Sequence, residues 1–124
     1  MTILFTNARL INPATGEDTL GCLLVSEGTI AAIGAEIAVP ETAEVIDCGG
    51  KCLAPGIVDI GVKVCEPGER HKESYKTAGL AAAAGGVTTM VTRPDTVPTI
   101  DNPETLEFAT RRANEAAPVN VVPM

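Results

Sequence analysis

After residue 55 the sequence alternates between β-rich apolar runs and helical stretches, and this rhythm restricts the fold more than any other feature. "GIVDIGVKV" predicts a strand over about 56–64, and "HKESYKTAGLAAAA" predicts a helix over about 71–84. Gly85-Gly86 then stops the helix, because glycine tolerates the backbone that follows a helix C-terminus. "VTTMVT" reads as a second strand and "RPDTVPTIDNP" as a proline-rich loop. The next helix carries its own start signal: Asn102 as N-cap, Pro103 at the first helical position and Glu104 where the helix dipole favours an anion. It runs through "ETLEFATRRANEAA" and ends before Pro118, after which "VNVVPM" begins a third strand. Strand, helix, strand, helix, strand is two βαβ units and implies a parallel sheet. Doubly wound sheets and (β/α)8 barrels both have this alternation. No Gly-x-Gly-x-x-Gly follows the first strand, which weakens a dinucleotide-binding reading. A full barrel takes about 250 residues, so this segment would supply about three of its eight strands.

Residues 1–54 differ in style. "ILFTNARLI" and "GCLLVSEGTIAAIG" are β-rich, with Glu27-Gly28 placed as a short hairpin turn and Gly49-Gly50 as another turn. "AAIGAEIAV" is ambiguous between strand and helix. No chemistry is evident in this half, and a small β-sandwich part that buttresses the rest is the expected form. The fold class is therefore α/β: a β-sandwich part over 1–54, followed over 55–124 by the first βαβαβ portion of an incomplete barrel.

The net charge of −7 removes any electrostatic case for nucleic acid or an anionic membrane as partner. No run reaches the ~18 apolar residues that span a bilayer, and the N-terminus lacks the pattern of a signal peptide, so the expected location is cytoplasmic. Aromatic residues make up only 2%, so the core must be built from Ala, Val, Ile and Leu. Cys22, Cys48, Cys52 and Cys65 form no CxxC pair, and His71 stands apart from them. Reduced, partly buried thiols are favoured over a zinc site. A small Cys-dependent metal module remains a separate class; it would unfold with chelator or on Cys48→Ser or Cys52→Ser.

The first strand of the second half raises the functional question. One alternate set, Val58, Ile60, Val62 and Val64, is apolar throughout. The other contains Asp59, Gly61 and Lys63. In a strand these sets point to opposite faces.

Three segments in order, "VSEGTIAAIG", "VIDCGGKCLAPGIVDIGVKVCEPGERHKES" and "AAAAGGVTTMVTRPDTVPTIDNPE", resemble the N-terminal third of a dihydroorotase, within the amidohydrolase superfamily that includes hydantoinases and allantoinases. The resemblance spans nearly the whole chain. "EPG" followed by "HKE", and "AAAAGG-TT" followed by "P-T-P-ID-PE", point to dihydroorotase more than to its relatives. It implies a β-sandwich fed by both chain ends, a metal-bearing (β/α)8 barrel, and interconversion of carbamoyl-aspartate and dihydroorotate in pyrimidine synthesis.

The resemblance also implies what belongs on the odd face. The family's first barrel strand ends in His-x-His, whose imidazoles hold zinc; the metal activates water and polarises the amide carbonyl. Those positions are Gly61 and Lys63. Glycine offers no ligand, and an ammonium has no lone pair unless it is deprotonated or carboxylated. A family arginine that grips the substrate carboxylate is matched by Cys65, and a substrate-contacting asparagine by Asp95. The remaining ligands and the catalytic aspartate come from later strands, expected beyond residue 124. The favoured reading is a non-catalytic dihydroorotase-like chain that needs no cofactor and acts as a structural subunit. Its expected state is a homo-oligomer or a hetero-complex, with aspartate transcarbamoylase as the partner the resemblance suggests. The alternative is an active zinc-dependent cyclic amidohydrolase with a rearranged metal site.

Several residues carry paired expectations. Asp59 is either an acid behind the former metal site or a buried acid held by backbone N–H groups. Lys63 either replaces the lost metal's charge, with Asp95 or Asp59 as counter-ion, or is a solvated lysine at a loop edge. His71 is expected to start the first helix or bond to the loop. Glu66, Glu69, Arg70, Lys72 and Glu73 read as a solvated charge run, and Arg111-Arg112 as an exposed helix face. Three barrel strands would leave an open sheet edge, so the chain is expected to be a fragment, a truncated product or part of an assembly.

Overall fold

The computed structural model describes residues 1–124 and separates into two compact units, Met1–Pro55 and Gly56–Met124.

The first unit is one sheet built around its first strand. β1 (Thr2–Asn12) pairs antiparallel with β2 (Glu17–Ser26), and β2 pairs antiparallel with β3 (Thr29–Gly34). β4 (Glu44–Asp47) and β5 (Cys52–Leu53) both run parallel to β1 on its other side. Glu27 and Gly28 both have positive φ, the backbone a two-residue hairpin needs for its twist to match its strands. Gly49-Gly50 is the expected turn, closed by the Lys51 N–H donating to Cys48 O at 3.0 Å, and it joins two strands that continue in one direction. The ambiguous "AAIGAEIAV" finishes β3 at Gly34 and then leaves regular structure. All five strands lie in one sheet, so no two-layer sandwich forms within this unit. A single layer cannot cover both its faces. Leu4 and Ala8 are fully buried, while Leu20, Ile30, Ile33 and Val45 stay exposed.

In the second unit β6 (Ile57–Val62), β7 (Val87–Thr92) and β8 (Asn120–Pro123) form a parallel sheet in that order. α1 (Tyr75–Ala84) links β6 to β7, and α2 (Pro103–Ala116) links β7 to β8. Val64, Tyr75, Ala78, Met90, Ala109 and Ala113 make the core between helices and sheet. Small residues let the elements approach closely: a Cβ on Gly79 would lie 2.7 Å from Pro118 Cδ. The sheet has three strands and is open at β6 and β8.

Two elements depart from what the sequence predicts. α1 starts at Tyr75 and not at residue 71, because Ser74 caps it. Ser74 Oγ accepts from the Thr77 N–H while Thr77 Oγ1 accepts from the Ser74 N–H, a reciprocal capping box. His71 lies in an exposed turn ahead of the helix. β6 ends at Val62, and its apolar face is not continuous. Gly61 has φ +93° and is the extra residue of a bulge, since Ile60 pairs with Val91 but Val62 pairs with Thr92. Beyond the bulge Val62 packs on the core and Val64 is buried; before it, Val58 and Ile60 are 57% and 74% exposed at the sheet edge. No helix is long and apolar enough to cross a membrane.

Candidate functional site

The candidate site lies where β6 and β7 end side by side. Backbone pairing continues past the strands, with the Arg93 N–H donating to Val62 O at 2.9 Å. Lys63 follows β6 directly, and Arg93 and Asp95 follow β7. Lys63 Nζ lies 3.2 Å from Asp95 Oδ2, and Arg93 Nη2 lies 3.0 Å from the same oxygen. Two cations thus share one carboxylate oxygen. Asp95 Oδ1 is buried without a hydrogen-bond partner. The hydrogen bond from Lys63 holds the Asp95 carboxyl below its usual range, with the Arg93 charge adding to the effect. All three side chains are between about one-third and one-half exposed, so water screens the cluster.

Gly61 contributes no side chain, and a Cβ there would meet nothing within 4 Å. Asp59 is exposed and does not pair with Lys63, so it is not the buried acid considered from sequence. Cys65 is partly exposed in a turn closed by the Glu69 N–H donating to Cys65 O at 2.8 Å. His71 is exposed and reaches none of these groups. At the two positions that the resemblance implies for zinc ligands, Gly61 offers no donor atom and the Lys63 ammonium is engaged by Asp95, so these two residues do not fit that role.

Sequence reasoning missed two members of this region. Arg93 reads as an ordinary loop cation, yet it completes the cluster. Glu66, expected in a solvated charge run, is 3% exposed. Its Oε2 accepts from the Tyr75 N–H at 3.1 Å, at the first turn of α1. Its Oε1 accepts from Arg112 Nε at 3.1 Å, with Arg70 Nε at 3.7 Å. Arg112 is accordingly not on an exposed face; Glu115 holds its Nη1 at 3.0 Å. Arg111, its neighbour, is exposed. No local signal marks Glu66: it lies in a turn beyond the end of β6, where strand alternation no longer applies.

The loops that carry these residues touch. The Val97 N–H donates to Pro67 O at 3.3 Å, and a Cβ on Gly68 would collide with Val97 O at 1.9 Å, so only glycine permits the approach.

Comparison with known proteins places this geometry. Residues 50–124 match the model of the family described as dihydro-orotase-like. The chain is 42% identical over 124 residues to a dihydroorotase of Ehrlichia canis, covering 97% of this chain and 28% of that protein. It is 46% identical over 123 residues to a dihydroorotase of Bacillus cytotoxicus, covering 99% and 28% respectively. Among solved structures it resembles the L-hydantoinase from Arthrobacter aurescens with a TM-score of 0.85 and 27% identity, covering 98% of this chain and 27% of that one. The chain therefore spans about 28% of the length of the curated relatives it matches. With a family match over the whole second unit and alignment to dihydroorotases along nearly its whole length, the chain belongs to the dihydroorotase-like family.

Proposed function

We propose that this chain is a catalytically inactive member of the pyrimidine pathway's dihydroorotase family that serves as a structural or assembly subunit. The observation that carries the reading is the engagement of the Lys63 ammonium by Asp95, 3.2 Å away, beside a Gly61 that has no side chain. By resemblance these two positions belong to zinc-binding histidines. Lys63 and Arg93 together set two cations against the one Asp95 carboxylate, and that excess positive charge opposes a further cation. The matched substrate positions support the same reading. Cys65 cannot fork around a carboxylate as arginine does, and the Asp95 carboxylate, unlike an asparagine amide, has no N–H to donate to a substrate.

The barrel is part of this proposal: β6, β7 and β8 would be its first three strands, with the site at the carboxyl ends where barrel enzymes place their chemistry. The first unit would be the portion of the accompanying β-sandwich contributed by the N-terminal segment. The partner the resemblance suggests is aspartate transcarbamoylase, in the cytoplasm. The test has two arms. The purified chain should not hydrolyse dihydroorotate with zinc supplied, and it should co-elute with aspartate transcarbamoylase from the same organism. Hydrolysis above the uncatalysed rate would overturn inactivity, and separate elution would overturn the assembly role.

A further inference from the structure

Glu66 is the one carboxylate of the second unit that is almost wholly buried; it accepts from two donors on different helices, with Arg70 Nε 3.7 Å away. One oxygen takes the first backbone N–H of α1, and the other takes the guanidinium of Arg112 on α2. It therefore joins the loop leaving β6 to both helices. The same loop begins with Lys63 and Cys65, closes through the Glu69 N–H to Cys65 O, and meets the loop after β7 through the Val97 N–H to Pro67 O. Arg93 and Asp95 ride on that second loop.

We propose that Glu66 is the positioning residue of the candidate site: its clamp on Tyr75 and Arg112 fixes the two loops so that Lys63, Arg93 and Asp95 meet. Geometry favours this over the reverse order of cause. The Lys63–Asp95–Arg93 contacts are half in water and weakly directional, so they cannot hold two loops in place. The Glu66 contacts are charge-assisted and shielded, and an unpaired carboxylate there would be left in a low-dielectric setting. Glu66 touches none of the cluster's charges, so its influence on them is through the loop alone. The assignment is independent of whether the site is catalytic.

Two measurements on the full chain test it. The first is acylation of lysines by an N-hydroxysuccinimide ester, read for Lys63 against exposed Lys76. The second is hydrogen exchange at the Glu69 and Val97 amides, read against Met90 and Ala113 in the core. In Glu66→Gln one donor of the clamp loses its acceptor. Lys63 should then acylate several-fold faster relative to Lys76, and the Glu69 and Val97 amides should exchange about tenfold faster while Met90 and Ala113 change much less. Should Glu66→Gln not fold, Arg112→Gln, which removes one arm only, is read in the same way. Unchanged Lys63 reactivity, or one uniform factor at all four amides, would overturn the proposal.

Discussion

Two carboxylates in the second unit each hold cations from separate elements, and they behave as opposites. The Glu66 side chain is 4% exposed and the Asp95 side chain 38% exposed. Glu66 binds a backbone N–H and Arg112 with different oxygens; Asp95 crowds Lys63 and Arg93 onto one oxygen and leaves the other unpartnered. Coulomb attraction between close charges is several-fold stronger away from water, and so is the cost of losing one partner. The buried carboxylate is therefore a fastening of the fold. The exposed one is a surface feature that can vary without unfolding the chain.

The largest expected effect follows from that contrast. Glu66→Ala strands a partly buried guanidinium and the first N–H of α1, and should destabilise the second unit by about 3–5 kcal/mol. Asp95→Ala should leave the denaturation midpoint almost unchanged. Urea unfolding of both variants checks the pair, and equal losses would break the comparison. The helix caps sharpen it at a smaller scale. Ser74 is buried and joined to Thr77 in both directions, whereas Asn102 is exposed and caps α2 from outside. Ser74→Ala should cost about 1–2 kcal/mol and Asn102→Ala about 0.5–1 kcal/mol, by the same measurement.

The smallest effect is in pH. The carboxyl of Asp95 is held below its ordinary value in the folded chain, chiefly by the hydrogen bond from Lys63. A lowered folded value means the unfolded chain takes up the proton first as pH falls. The stabilisation is therefore present above the ordinary aspartate range, near pH 4, and is lost as pH drops through the folded value. Lys63→Met should therefore lower the thermal midpoint slightly at pH 7 and less at pH 3, which flattens its fall with acid. An equal or larger change at pH 3 than at pH 7 would show that Lys63 acts by packing.

What the sequence made legible depended on how local the cause was. The Asn102-Pro103-Glu104 start of α2 and the Gly85-Gly86 end of α1 are set by neighbouring backbone groups, so residue identity announces them. The meeting of Lys63 and Asp95 follows from adjacent parallel strands, whose ends lie about 5 Å apart. The start of α1 was obscured because the charged "HKE" is as compatible with a helix as with the turn it forms. The Gly61 bulge, which separates Ile60 from Val62 in its effects, is set by pairing with β7 and leaves no trace beyond the glycine itself. Burial of Glu66 was hidden for a similar reason. Its partners are 9 and 46 residues away, and nothing in a charge run tells which carboxylate the helices will cover. The β character of residues 1–55 was legible from its apolar runs, but their arrangement in one sheet depends on pairing on or beside β1, which no local run specifies.

The central claim is that the carboxyl end of β6 carries a lysine–carboxylate pair where its relatives are expected to hold metal. Zinc content of the purified chain, measured by elemental mass spectrometry after equilibration with zinc and buffer exchange, tests this most directly. The account predicts far less than one zinc per chain, unaltered by Lys63→Met. One or more zinc ions per chain, lost on Lys63→Met, would contradict it.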